Sequence, residues 1–209
     1  MSDRFQPITM EQLTDWVFDE LETNDSIFGI PRGAFFTPNE SDRFRQPNYG
    51  TVLDTPFGVA AGPHTQMAQN IIVSWLLGAR FIELKTVQTL DELEIGKPCI
   101  DLTDEGYNVE WSQELKIYES FDDYLRAWVL IHALHDRLGF PGERPGMLFN
   151  MSVGYDLAGI RRPNVQWYFD AMADASDYLP AYVDIVARRH PAIRDLQVPA
   201  QVSDTITLS

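Results

Sequence analysis

The chain has 209 residues, of which 44% are hydrophobic, 12% aromatic and 22% charged, enough apolar material for a sizeable core. Lys and Arg number 16 against 31 Asp and Glu, and the resulting net charge of −15 argues against a phosphate backbone as partner. Apolar runs fall short of the ~18 residues of a membrane span, the first residues lack a signal peptide's pattern, and a single cysteine, Cys99, excludes an internal disulfide or a Cys-x-x-Cys metal site, so the expectation is a soluble cytoplasmic protein with no nucleic-acid or membrane partner.

The first predicted element is a helix over 9–22, with Thr9 as cap and Leu13, Trp16, Val17, Phe18 and Leu21 near a 3.6-residue spacing. Residues 29–50 carry Pro31, Gly33, Pro38, Pro47 and Gly50 and read as loop. Residues 1–50 are therefore expected to be an extension laid against a second unit, 51–209.

That unit opens with a buried-type strand, Phe57-Gly58-Val59-Ala60-Ala61, then a helix over 66–78 ending at Gly78, then a strand over 80–87. Strand, helix and strand in some 30 residues predict a parallel βαβ unit. Residues 91–124 form an acidic insertion, with five Asp and six Glu against Lys97 and Lys116. A helix over 121–138, a strand over 147–153 and helices over 164–176 and 180–190 follow, and Thr205-Ile206-Thr207-Leu208-Ser209 starts a fourth strand. The predicted class is α/β, the N-terminal half of a (β/α)8 TIM barrel, a fold of about 250 residues when complete. The chain is accordingly expected to be the front part of a longer polypeptide.

Barrels of this kind do their chemistry at the C-terminal ends of the strands. Those ends are Ala60-Ala61-Gly62-Pro63-His64-Thr65, Lys85-Thr86-Val87 and Asn150-Met151-Ser152. Small residues there would let a flat ring lie against the backbone and accept its N–H groups. Lys85 would face an anionic ring position, and the Asn150 amide would pair with a polar ring edge. Taken singly, each has a plainer reading as tight packing, a solvated terminus or a turn former; at three successive strand ends they gain weight together. His132 and His135, three apart on one helix, read as a helix flank because a third metal ligand is not in sight, and no metal site is expected. The acidic stretch reads as a solvated face and Cys99 as a structural thiol.

The run Thr55-Pro56-Phe57-Gly58-Val59-Ala60-Ala61-Gly62-Pro63, followed by Gly78-Ala79-Arg80-Phe81-Ile82-Glu83-Leu84-Lys85-Thr86-Val87, resembles the opening of the FMN-dependent dihydroorotate/dihydropyrimidine dehydrogenase family. With His64-Thr65-Gln66, Lys97-Pro98-Cys99-Ile100-Asp101 and Phe149-Asn150-Met151-Ser152, it is similar to the N-terminal part of the bacterial proteins named for a selenate reductase subunit. The resemblance implies an FMN-type barrel in which Ala60, Ala61, Gly62, Lys85, Thr86 and Asn150 contact the flavin and Asn108 and Glu110, in an Asn-x-Glu pattern, approach the substrate. It further implies FAD and iron–sulfur clusters in the remainder of the parent chain. That remainder, or other redox subunits, would be the macromolecular partner, and a small planar molecule the substrate.

The family's active-site Cys or Ser and its FMN phosphate loops would lie beyond Ser209, so the catalytic residue is unassigned and residues 1–209 alone are expected to be inactive. The altered sequence at Trp111-Ser112-Gln113-Glu114 departs from the family's substrate loop. An alternative expectation is therefore a non-catalytic docking subunit of a larger iron–sulfur flavoprotein complex.

Overall fold

A computed structural model of the chain describes residues 6–87, 89, 115–154 and 156–208, and the backbone alone of 100–102 and 106–108. Helix α1 (Met10–Asn24) starts where Thr9 Oγ1 accepts the Gln12 amide at 3.2 Å. It ends at Asp25, which takes the left-handed conformation at φ 51°. Met10, Leu13, Val17, Phe18 and Leu21 form its buried stripe.

The segment 29–50, expected to be loop, instead contributes to two small hairpins. Strands β1 (Ser26–Ile27) and β2 (Ile30–Pro31) pair around Phe28 and Gly29, at φ 53° and 76°. Strands β3 (Gln46–Asn48) and β4 (Thr51–Leu53) pair around Tyr49 and Gly50, at φ 46° and 77°. Two successive positive φ angles suit a two-residue hairpin turn, whose usual sequence signal is Asn-Gly or Asp-Gly. Here an aromatic residue holds the first position. The Glu20 carboxylate stabilises the first turn, accepting the amides of Phe28 at 3.0 Å and Gly29 at 2.7 Å.

The central sheet follows: β5 (Gly58–Val59), helix α2 (Ala68–Leu76) and β6 (Phe81–Glu83). A separate antiparallel pair, β7 (Ile100–Leu102) and β8 (Gly106–Asn108), precedes helix α3 (Ile117–Leu138) and strand β9 (Leu148–Val153). Helices α4 (Leu157–Ile160), α5 (Pro163–Ala173) and α6 (Leu179–Arg189) lead to β10 (Ile206–Leu208). The four strands β5, β6, β9 and β10 lie side by side in chain order, all parallel. This is the arrangement of the first strands of a (β/α) barrel, as the sequence predicts.

Alternation assigns the two faces of the sheet. Ile82, Leu84, Phe149, Met151 and Val153 join the helices in one apolar core, with the Phe149 and Trp128 rings 5.1 Å apart. Glu83, Leu148, Asn150 and Ser152 fall on the other face. Helix α1 packs on α6, with Phe18 against His190 at 4.7 Å and an Arg189–Asp15 ion pair. Among the described residues no helix is long and apolar enough to cross a membrane.

The N-terminal ends of the strands are locked by a buried ion pair. Arg80, fully buried, donates from Nε to Asp54 Oδ2 at 3.3 Å and from Nη1 to the carbonyls of Trp75 at 2.6 Å and Ala79 at 3.0 Å. Its guanidinium lies 5.1 Å from the ring centres of both Phe36 and Trp75. Burial pushes Arg80 down to about 10, so it stays charged at neutral pH. Its backbone joins the neighbouring strands, the amide donating to Phe57 O at 3.0 Å and the carbonyl accepting from Leu148 at 2.8 Å. Replacing Arg80 with Leu leaves the buried Asp54 carboxylate with only the Arg45 ion pair at 3.4 Å among the described residues and is expected to cost about 3 kcal/mol in urea or thermal unfolding. The double replacement Asp54→Asn with Arg80→Leu should recover part of that loss.

Helix α3 buries His132, whose Nδ1 lies 2.8 Å from the Trp128 carbonyl, and burial lowers its pKa to about 4. The unfolded chain therefore takes up this proton first as the pH falls. The contribution of His132 to stability is unchanged above pH ~6.5 and should fall by roughly 3 kcal/mol between ~6.5 and ~4. His132→Gln should flatten that part of the stability–pH curve in thermal melts, and an unaltered curve would disprove the assignment.

Candidate functional site

The C-terminal ends of β5, β6, β9 and β10 meet on one side of the sheet. At the end of β5, Ala60 is exposed and the chain turns through Gly62 into a short 3-10 turn, Pro63–Thr65. Gly62 donates to Thr65 Oγ1 at 3.2 Å, and the Thr65 amide donates back to Gly62 O at 2.9 Å. The Ala61 amide donates to Glu83 Oε2 at 3.1 Å. The expectation that the Ala61 and Gly62 N–H groups stand free for a flat ring is therefore corrected: both are used inside the protein. What this strand end offers is a small-residue surface.

Strand β6 was predicted to run unbroken over 80–87, but the ladder slips by one residue after Glu83. Glu83 pairs with Asn150, whereas Val87 pairs with Val153, so four steps on β6 match three on β9. This bulge draws Val87 into the core and leaves Thr86 half-buried. Lys85, within the bulge, is 2% exposed rather than solvated. Its amide donates to Thr65 O at 3.3 Å, and its carbonyl accepts from the Tyr124 hydroxyl at 3.1 Å. Burial pushes the Tyr124 phenol up, so it remains a protonated donor.

Two polar pairs bridge the strands beside the bulge. The Thr86 and Ser152 hydroxyls are 2.8 Å apart. The buried Asn150 amide donates to Thr207 Oγ1 at 2.8 Å and to Met151 O at 3.2 Å. Lys85, Thr86 and Asn150 thus come together at the strand ends as the sequence suggested, with Ala60, Ala61 and Gly62 on the neighbouring strand. Glu83 and Thr207 are not among the strand-end candidates of the sequence, and Ser152, named at a strand end, has no role assigned there. Their strand-end register was the signal that would have found them.

Asn108 closes β8, and only its backbone is described; Glu110 and Cys99 lie outside the described residues, as does most of the acidic segment. His132 and His135 are buried rather than flanking, and His135 Nε2 lies 3.3 Å from Pro141 O. Among the described residues no three His, Cys, Asp or Glu side chains cluster as metal ligands. A cavity of about 240 Å³ lined by Trp128, His132, Arg144 and Leu148 sits at the opposite, N-terminal end of the sheet, away from these groups.

Four sequential parallel strands backed by helices, with polar groups gathered at their C-terminal ends, define the opening portion of a TIM-barrel domain. The chain belongs to the family described as "Oxidoreductase YgfK, N-terminal TIM-barrel domain", whose model matches residues 28–209. Two curated relatives, from Escherichia coli K12 and Escherichia coli O157:H7, both named "Putative oxidoreductase YgfK", are each 48% identical over 178 residues. Those residues are 85% of this chain and 17% of each relative, so the chain spans only a small part of the relatives' length. No solved structure matches.

The two glycines of β5 and its end differ in what they tolerate. A Cβ on Gly58 would stand 1.8 Å from the Phe81 carbonyl oxygen, a backbone atom of the paired strand. A Cβ on Gly62 would meet the His64 ring at 2.8 Å, and that side chain is exposed and free to swing aside. Gly58→Ala should cost roughly 3 kcal/mol, while Gly62→Ala should stay within about 0.5 kcal/mol. Thermal melts of the two variants distinguish them.

Proposed function

We propose that this chain is part of a flavin-dependent oxidoreductase and supplies the first half of an FMN site at the C-terminal ends of β5, β6, β9 and β10. The observation that carries the reading is the half-buried pair of polar bridges, Asn150–Thr207 and Thr86–Ser152, beside the small-residue surface of Ala60. With the Asn150 amide hydrogens held by Thr207 and Met151, its Oδ1 and the Thr86 and Ser152 hydroxyl oxygens offer acceptors suited to an N–H on the polar edge of a flavin pyrimidine ring. Support also comes from the names of the family and its relatives, and from the likeness of the two quoted runs to dihydroorotate/dihydropyrimidine dehydrogenases.

The residues present fit such a group. Asn150, Thr86 and Lys85 would hold the ring's polar side, and Ala60, Ala61 and Gly62 would carry its face without side-chain obstruction. When bound, FMN supplies hydride and electron transfer to a small planar substrate; the chain's residues bind and orient the ring and exclude water from it. Asn108 and Glu110 are the proposed substrate contacts. FAD, iron–sulfur clusters and a selenate reductase role are proposals for the remainder of such a protein.

The test is the visible spectrum of the purified full-length protein. A bound flavin that leaves as FMN on denaturation is the expected result, and Asn150→Ala should weaken its binding by about tenfold, or 1.4 kcal/mol. A colourless protein that takes up no added FMN overturns the reading.

A further inference from the structure

Resting on the flavin reading above, we infer that Glu83 is a positioning residue that fixes the small-residue wall on which the planar ring is seated. The ladder between β5 and β6 ends at the Val59–Ile82 pair. Beyond it β6 departs into its bulge, and the Ala61 amide is met by a side chain: Glu83 Oε2 at 3.1 Å, from 22 residues further along the chain. The register places Glu83 directly beside Asn150 and one step past Ile82, level with Ala60. One carboxylate therefore ties the wall at Ala60–Ala61 to the strand next to the polar bridge at Asn150.

The other bonds of this turn do not replace it. Gly62 and Thr65 bond each other, and Thr65 O takes the Lys85 amide, so both anchors act after Ala61. Without Glu83 the Ala61 N–H lacks an acceptor where β5 is a two-residue strand with Ala60 exposed. Glu83 is also the sole carboxylate within the described strand ends 60–65, 83–87, 150–154 and 205–208. A hydrogen bond from an amide to a charged acceptor is among the stronger kinds, so losing it should be measurable both in the backbone and in ring binding.

The experiment compares wild type, Glu83→Ala and Glu83→Gln in the full-length protein. Gln keeps an oxygen acceptor for Ala61, and Ala removes it. Hydrogen–deuterium exchange of the 57–66 segment, read by mass spectrometry on flavin-free protein, reports the wall itself. FMN titration followed by flavin fluorescence reports the ring.

Glu83→Ala should speed exchange of that segment and weaken FMN by about tenfold or more, while Glu83→Gln stays within about threefold of wild type in both. Unchanged exchange in Glu83→Ala overturns the inference. So does faster exchange with FMN affinity intact, and so does a Gln variant as impaired as the Ala variant. Wild-type protein that takes up no FMN defeats the flavin reading alone, and the exchange comparison still decides whether Glu83 holds Ala61.

Discussion

The guanidinium of Arg80 is the fixed point of the sheet. Burying a charge is expensive, and Nε and Nη1 of the guanidinium are met by hydrogen-bond acceptors while Nη2 finds none among the described residues. Here Asp54, two backbone carbonyls and two aromatic rings surround one side chain. Because the Arg80 amide and carbonyl bond to the segments entering β5 and β9, the same residue sets the relative height of three strands. Gly146 shows how tightly the clamp is built: a Cβ there would stand 2.1 Å from Asp54 Oδ2. The positions of the opposite strand ends, some residues later, follow from this lower lock.

The four strands of the central sheet, helices α1, α2, α3, α5 and α6 and their order were legible because each had a clear period and clear stops, whereas the β7–β8 pair and the short helix α4 were not anticipated. Thr9 and Gly78 mark helix limits, as helix capping and positive φ at glycine predict. The two hairpins were not legible, since Phe28-Gly29 and Tyr49-Gly50 place aromatic residues where turn chemistry favours Asn or Asp. The bulge in β6 was hidden for another reason. Ile82 and Leu84 alternate, and the next core residue is Val87 rather than position 86, a spacing of three that a reading in twos passes over.

The candidate site was legible at the level of position and only partly at the level of bonding. Strand-end register pointed to Ala60, Lys85, Thr86 and Asn150. Which groups remain open to a ligand depends on contacts between residues distant in sequence, such as Ala61 with Glu83 and Asn150 with Thr207, and those are set by tertiary pairing alone. Burial of Lys85 likewise follows from the bulge and from Tyr124 on α3, neither visible in the local sequence.

The chain between Val87 and Leu115 departs from the end of β6 at which the candidate site lies, whereas the Arg80 lock sits at the other end. The contacts of the lock, from Arg80 to Asp54, Trp75 and Ala79, are all made by residues outside that stretch. Substitutions that loosen the fold would therefore be felt first around Asp54, Arg80 and Gly146, at the end of the sheet remote from the candidate site.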